Sequence, residues 1–421
     1  MIKQYFKQAF YMLRENRLVS SISIIGTAIS ISMIMLVVLI FRIQYASFSP
    51  ENDRDRMLYV VDGTEVASSH GRNRGNMSAE AAKECFYSLK LPEAVSAYTM
   101  QSKPLSVPGK RMYKAYSIKY TDPGFWKIFD FRFLSGKPFT QADFDSGIRQ
   151  AVVSGGVAQK LYGTIDVVGK PVIIDLTEYT VCGVVEDVSR AADSAYGSVW
   201  VPYTTDQVLL ANTSMENMSG AFSVCLLARS HDEFGTIRNE LLGQIARYNA
   251  TKKDCKINFL HNPISRIDIA IGTLGQRKVQ WKNYLAETGS LLVFLLLVPA
   301  LNLLGVAHSA MQKRRAEMGV RKAFGATDGT LIRQILCENC LITLVGGFIG
   351  LILSFVLLPV CKDFLLKDND TMLNSDMVFQ PAVFVTALIF SLLLNVLSAG
   401  IPAIRIARQK VVSSLRDNEE Q

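Results

Sequence analysis

Four long stretches of the chain carry no Asp, Glu, Lys or Arg. They lie between Arg17 and Arg42 (24 residues), Glu287 and Lys313 (25), Glu338 and Lys362 (23), and Asp376 and Arg405 (28). A helix needs about 20 apolar residues to cross a bilayer, so each stretch is long enough. Hydrocarbon offers backbone N–H and C=O groups no partner but one another, which makes helix the form these stretches predict. The expected spans are 18–45, 286–312, 334–361 and 381–404. The first is read as a retained anchor. Its apolar run exceeds the ~7–15 residues of a signal peptide, and Tyr45-Ala46-Ser47-Phe48 is a poor cleavage site.

A different pattern fills residues 46–285. Met57–Val61, Gln150–Ser154, Val172–Leu176, Tyr179–Val185 and Phe222–Leu227 are short runs rich in β-branched and aromatic residues, as half-buried strands are. Ala79–Lys90 and Glu233–Tyr248 have helical periodicity. Asp122-Pro123-Gly124 opens a short helix running through Phe129, and Ser154 caps another that ends at Gly163. The polar tract 68–78 reads as a loop. The expected fold class is therefore an α-helical membrane protein with four transmembrane helices and a large mixed α/β extracytoplasmic domain between helices 1 and 2.

Charge orients this arrangement. The net charge of +8 over 421 residues resides in three clusters: residues 1–17, 311–333 and 404–421, at +3, +4 and +1. The remainder balances to zero, so the basic character is a topology signal and gives no footprint for nucleic acid. The positive-inside rule places all three clusters in the cytoplasm. That puts an amphipathic N-terminal segment (1–17), a loop (313–333) and a tail (405–421) inside, and 46–285 and the short loop 362–380 outside. The expected location is the bacterial cytoplasmic (inner) membrane, multi-pass, with the large domain periplasmic. The cytoplasmic pieces total about 60 residues, too few for a catalytic output domain.

Chemistry-bearing motifs are sparse. Cys85, Cys182, Cys225 and Cys255 lie in the outer domain, where disulfides are permitted, and four thiols allow three pairings. Buried free thiols are the other reading. Gly163…Gly169-Lys170-Pro171 superficially resembles a phosphate-binding loop. It has five residues between the glycines, and Pro171 stands where a hydroxyl residue is needed. It reads as a turn before a strand. No catalytic or metal constellation stands out. In the spans, Gly346-x-x-x-Gly350 continuing to Ser354, and Gly26-x-x-x-Ser30, form small-residue ridges suited to close helix packing.

The cytoplasmic stretch Lys313-Arg-Arg-Ala-Glu-Met-Gly-Val-Arg-Lys-Ala-Phe-Gly-Ala-Thr327 is the most informative. Ala316, Val320, Ala323 and Phe324 make a narrow helical stripe, Gly325 can end the helix, and Thr327 or Asp328 can cap the next. Arg314, Arg315, Glu317, Met318, Gly319, Val320, Arg321, Lys322, Ala323, Phe324, Gly325 and Ala326 match, in register, the signature loop of the MacB/FtsX family of ABC-transporter permeases. The resemblance extends to Thr121–Phe129, Leu134–Phe139, Ala151–Ser154, Tyr179–Asp187 and Pro402–Ala407.

This resemblance implies a permease subunit with no catalytic residues, cofactor or metal of its own. A separate cytoplasmic ABC ATPase subunit would bind ATP and Mg. The residues from Arg314 to Ala326 would couple to it: Gly319 permitting close approach, Val320 and Phe324 burying apolar contact, and Arg315, Arg321 and Lys322 meeting acidic groups. The implied partners are that ATPase, a second permease subunit, membrane lipid and, for an export machine, a periplasmic adaptor and outer-membrane channel. Three functions compete. One is export or efflux of periplasmic substrate by a machine that transmits motion. The second is FtsX-like control of a periplasmic cell-wall hydrolase without cargo, and the third is a sensor of antimicrobial peptides. The size of the outer domain favours the first.

Overall fold

The computed structural model describes residues 17–109, 114–271 and 327–365, together with Phe324, Gly325 and isolated positions between 282 and 404. The segment 1–16, nearly all of the spans 286–312 and 381–404, and the tail 405–421 lie outside the described residues. The chain divides into two compact units. One comprises Met1–Ile43, Lys282–Asn369 and Ser375–Gln421. The other comprises Gln44–Trp281 with Asp370–Asn374.

In the first unit, helix α1 covers Arg17–Tyr45. Among the described residues, one helical window, Cys340–Leu357, is long and apolar enough to cross a membrane, and Ile24–Leu36 is a shorter apolar stretch.

The second unit is mixed α/β. Its larger sheet has ten strands: β1 (Met57–Val60), β4 (Ala94–Ser106), β5 (Lys114–Thr121), β6 (Phe133–Gly136), β7 (Gln150–Ser154), β8 (Pro171–Ile174), β9 (Thr177–Val185), β10 (Val199–Pro202), β12 (Ser223–Leu227) and β14 (Ile264–Ser265). The order is β14-β1-β12-β4-β5-β10-β7-β9-β6, and β8 pairs with both β4 and β9. That double pairing closes β4, β5, β10, β7, β9 and β8 into a ring. Within it β5/β10 and β7/β9 run parallel. A smaller sheet contains β2 (Thr64–Ser68), β3 (Gly71–Met77), β11 (Ser219–Gly220) and β13 (Lys256–Asn258).

Period-two alternation distributes these strands between two cores. Leu58 and Val60 enter one core while Met57 and Tyr59 enter the other. Val224 and Leu226 oppose Cys225 and Leu227 in the same way. Strands buried on both faces read as unbroken apolar runs, which is why β1, β10 and β12 lack polar alternation. The first core is completed by helix α2 (Ala79–Phe86) through Ala81, Ala82, Cys85 and Phe86. Phe234, Ile237, Leu241 and Tyr248 of the helix Phe234–Ala250 add their stripe at helical spacing. The second core is aromatic: Trp126 meets Phe139 edge-on at 5.6 Å and Trp200 at 6.4 Å.

Asp122 is buried at the foot of this aromatic core. Its carboxylate accepts the Ala97 N–H at 2.9 Å, the Phe125 N–H at 3.1 Å and the Tyr87 hydroxyl. It thereby starts the short helix at Phe125, although Gly124 occupies the formal cap position. Ser154 accepts the Val157 N–H to start the helix Gly155–Tyr162, which Gly163 ends in the left-handed region at φ 76°. The stretch Gly163–Pro171 is a turn leading into β8. The polar tract 68–78 differs from its sequence reading: its residues 71–77 form strand β3, paired with β2 over Gly71–Gly75 and with β11 at Asn76 and Met77. Its Arg72 and Arg74 meet Glu65 across the hairpin. Cross-strand pairing, not its own apolar pattern, makes it a strand.

The four outer thiols are free. Cys85, Cys225 and Cys255 are buried, and Cys182 is half-buried. Burial pushes Cys85 and Cys182 up to about 12. Thiol labelling of the native protein at pH 7.5 should therefore leave these four unmodified, whereas urea should expose all four; protection by disulfides instead of burial would leave them unlabelled in both. Burial also pushes the Asp122 carboxyl from 3.8 up to about 6. Its acid form is thus the one the fold favours, and its contribution to stability should fall as pH rises from about 4 through about 6. Comparing unfolding midpoints of wild type and Asp122→Asn across that range checks this, since the variant should lack that component of the pH dependence.

Candidate functional site

The helix Asp328–Leu365 spans 38 residues, about 57 Å at 1.5 Å per residue, well beyond a bilayer core of about 30 Å. Its start is well defined. The Thr327 carbonyl accepts the Thr330 and Leu331 N–H groups at 3.0 and 3.2 Å, and the Thr327 hydroxyl contacts that of Thr330 at 2.8 Å. Immediately before it, Gly325 has φ +92°, a conformation that suits glycine. Phe324 is 88% exposed. Arg314, Arg315, Glu317, Met318, Gly319, Val320, Arg321, Lys322 and Ala326 lie outside the described residues.

The same helix approaches α1 closely where its side chains are absent. A Cβ on Gly346 would stand 2.9 Å from Cβ of Thr27, and one on Gly350 would stand 2.6 Å from the Ala28 carbonyl oxygen and 3.1 Å from Cβ of Ile31. Ser354 is fully buried and donates its hydroxyl to the Leu351 carbonyl at 2.7 Å. On α1, Ser30 is buried and Gly26 half-buried. Ile31, Ile34 and Met35 pack with Leu351 and Phe384, whereas Ile22, Ile25 and Ile29 are exposed. One stripe of α1 thus faces its neighbouring helix and another faces outward.

In the second unit, a buried ion pair ties down the segment that follows α1. Arg54 Nε donates to Glu51 Oε2 at 2.6 Å, Nη1 to the Ala46 carbonyl at 2.8 Å and Nη2 to the Ala191 carbonyl at 2.6 Å. Its guanidinium lies 3.9 Å from the Phe48 ring centroid. Glu51 Oε1 accepts the Ala195 N–H at 3.2 Å. Nearby, buried Lys119 donates to the carbonyls of Asp193 and Ser194 at 3.1 and 2.6 Å, and burial lowers its pKa to about 8. Two buried cations therefore hold the 191–195 loop, one of them also gripping residues 46–48. Sequence reading did not single out Glu51, Arg54 or Lys119. Charged side chains are rarely buried, and the only local hint was the three-residue spacing of Glu51 and Arg54.

The chain thus carries a helical unit with a long apolar helix and a large mixed α/β unit. The MacB-like periplasmic core domain matches residues 20–242 and the FtsX-like permease C-terminal domain matches residues 289–411. The chain belongs to the MacB/FtsX-type family of ABC transporter permeases. It is 23% identical over 427 residues to the macrolide export ATP-binding/permease protein MacB of Chromobacterium violaceum, an alignment covering 98% of this chain and 61% of that protein. It is 22% identical over 305 residues to an uncharacterized ABC transporter permease, YknZ, of Bacillus subtilis, covering 71% and 70%. Among solved structures, the periplasmic region of MacB from Actinobacillus actinomycetemcomitans aligns with 51% of this chain and 90% of its own at 19% identity, with TM-score 0.37. The extracellular domain of YknZ aligns with 47% of this chain and all of its own at 18% identity, with TM-score 0.35.

The glycine contact gives a direct test. Gly350→Leu should lower the thermal unfolding midpoint of the detergent-solubilised protein, consistent with an overpacking cost of about 1–3 kcal/mol. Phe348→Leu, at a position 61% exposed, should leave it unchanged. Equal midpoints for Gly350→Leu and wild type would show that the helices do not meet there.

Proposed function

We propose that this chain is the membrane subunit of a MacB-type transporter. It carries ATP-driven motion from a separate cytoplasmic ATPase subunit to its periplasmic unit, for export or efflux of a periplasmic substrate. The four expected spans form the membrane part, and the chain works with a second permease subunit and two ATPase subunits. ATP and Mg reside on those subunits. The observation that carries this reading is Phe324, 88% exposed at a turn closed by Gly325, in register with the family's signature loop.

The mechanism follows from stiffness and attachment. Closure of the ATPase pair displaces the loop around Phe324. A long helix beginning at Asp328 moves as a rod, and the contacts of Gly346 and Gly350 pass its displacement to α1. The chain leaving α1 is gripped at Ala46 and Phe48 by Arg54, so movement enters the periplasmic unit through a buried hydrogen-bonded node. The size of the outer domain, residues 46–285, favours export over the alternative, control of a cell-wall hydrolase.

Co-purification with the ATPase subunit tests this reading. Phe324→Asp and Gly319→Asp should each reduce association at least about tenfold, as expected for a central apolar anchor. Undiminished association in both variants would remove the loop from the interface.

A further inference from the structure

The loop 191–195 is held from two sides by buried side chains. On one side stands the segment that follows α1. Arg54 Nη2 donates to the Ala191 carbonyl at 2.6 Å, and Glu51 Oε1 accepts the Ala195 N–H at 3.2 Å. Arg54 also holds the Ala46 carbonyl, one residue past the end of α1 at Tyr45. On the other side stands the strand ring. Lys119 Nζ donates to the Asp193 and Ser194 carbonyls at 3.1 and 2.6 Å, and Trp200 Nε1 donates to the Ala195 carbonyl at 3.1 Å. Lys119 on β5 and Trp200 on β10 are register partners in that parallel pair, so both grip the loop from one place on the ring. Glu51, Arg54, Lys119 and Trp200 are each at most 2% exposed.

This arrangement leaves little slack. Ala191, held by Arg54, and Asp193, held by Lys119, are two residues apart, and two residues reach about 7 Å when fully extended. The loop is not extended: the Ala195 and Tyr196 N–H groups donate to the Ala192 carbonyl at 3.0 and 2.7 Å and close a turn. Ala192 and Ala195 are packed into the aromatic core. Stability alone does not call for these polar anchors. Apolar side chains of similar volume in place of a buried ion pair are often neutral or stabilising, and a loop ordinarily leaves its backbone to water. What the polar set adds is direction, because hydrogen bonds fix the loop to both neighbours along defined lines.

We propose that loop 191–195 is the strap by which movement of the segment leaving α1 passes to β5 and β10, with Lys119 the positioning residue at the ring end. This rests on the coupling reading and adds to it the route taken inside the outer unit. Two other routes compete. The chain itself continues from Arg54 into β1, which reaches the ring through β12 and β4, and Asn52 Nδ2 donates to Asp130 Oδ2 at 2.8 Å on the surface.

The experiment is a spin-label distance measurement on the full chain reconstituted with its ATPase subunit, with one label per chain at position 47 or at position 176, where Ser47 and Leu176 are exposed. In wild type, ATP should shift the distance between copies at both positions. Lys119→Met removes the donors to Asp193 and Ser194, and since both partners are carbonyls it strands no opposite charge. In this variant the shift at 47 should persist and the shift at 176 should fall by about half or more. Trp200→Phe is a milder change that removes the indole donor to Ala195; it should reduce the shift at 176 in the same way and carries the test if Lys119→Met does not fold. Asn52→Ser should keep both shifts. Full shifts at both positions in Lys119→Met and Trp200→Phe overturn the strap, whatever their unfolding midpoints, and leave the coupling reading standing. Loss of the shift at 47 together with that at 176 in these variants also overturns it, because the strap acts beyond position 47. Absence of any shift at 47 in wild type defeats the coupling reading itself, and the strap with it.

Discussion

Helices in lipid gain little from hydrophobic association, because the tails are as apolar as leucine, so close backbone approach and packing must hold them together. In this chain that constraint falls on Gly346 and Gly350. Any side chain there would meet Thr27, Ala28 or Ile31 of α1. The contact makes α1 and the helix Asp328–Leu365 mechanical neighbours. One leads along the chain to the folded outer unit, and the other begins next to the exposed Phe324. The glycines are therefore what lets these two helices approach so closely.

Inside the outer unit, the polar nodes are as constrained as the apolar core. Burying Arg54 or Lys119 without partners would be strongly unfavourable. Each is surrounded by acceptors: Glu51, Ala46 and Ala191 for the first, and Asp193 and Ser194 for the second. Removing either would take donors from the 191–195 loop, where Arg266 also reaches the Ala191 carbonyl at 3.5 Å. The loop is thus fastened to the start of the unit and to β5. The entry segment is thereby fastened to a loop far away in sequence.

Much of this was legible before the fold. The run Gln150–Ser154 and the Ser154-capped, Gly163-terminated helix carry local signals strong enough to fix their ends. The signature residues around Phe324 identified the family because their register is dense. Strand β3 was not legible, since Gly71-Arg-Asn-Arg-Gly-Asn has no apolar alternation and owes its form to β2. The 13-residue strand β4 was hidden by Gln101, Lys103 and Pro104, which sit where neighbouring strands impose the geometry. Lys119 looks like any surface lysine in sequence, and only the fold of residues 191–195 over it makes it internal.

The central claim, that motion passes from the loop around Phe324 to the periplasmic unit, is open to one direct measurement. A spin label at position 176, where Leu176 is 84% exposed on the turn between β8 and β9, reports the separation between two copies reconstituted with the ATPase subunit. The account predicts that adding ATP shifts that distance distribution in wild type and leaves it unmoved in Phe324→Asp. An ATP-driven shift of the same size in the variant, or none in wild type, would contradict it.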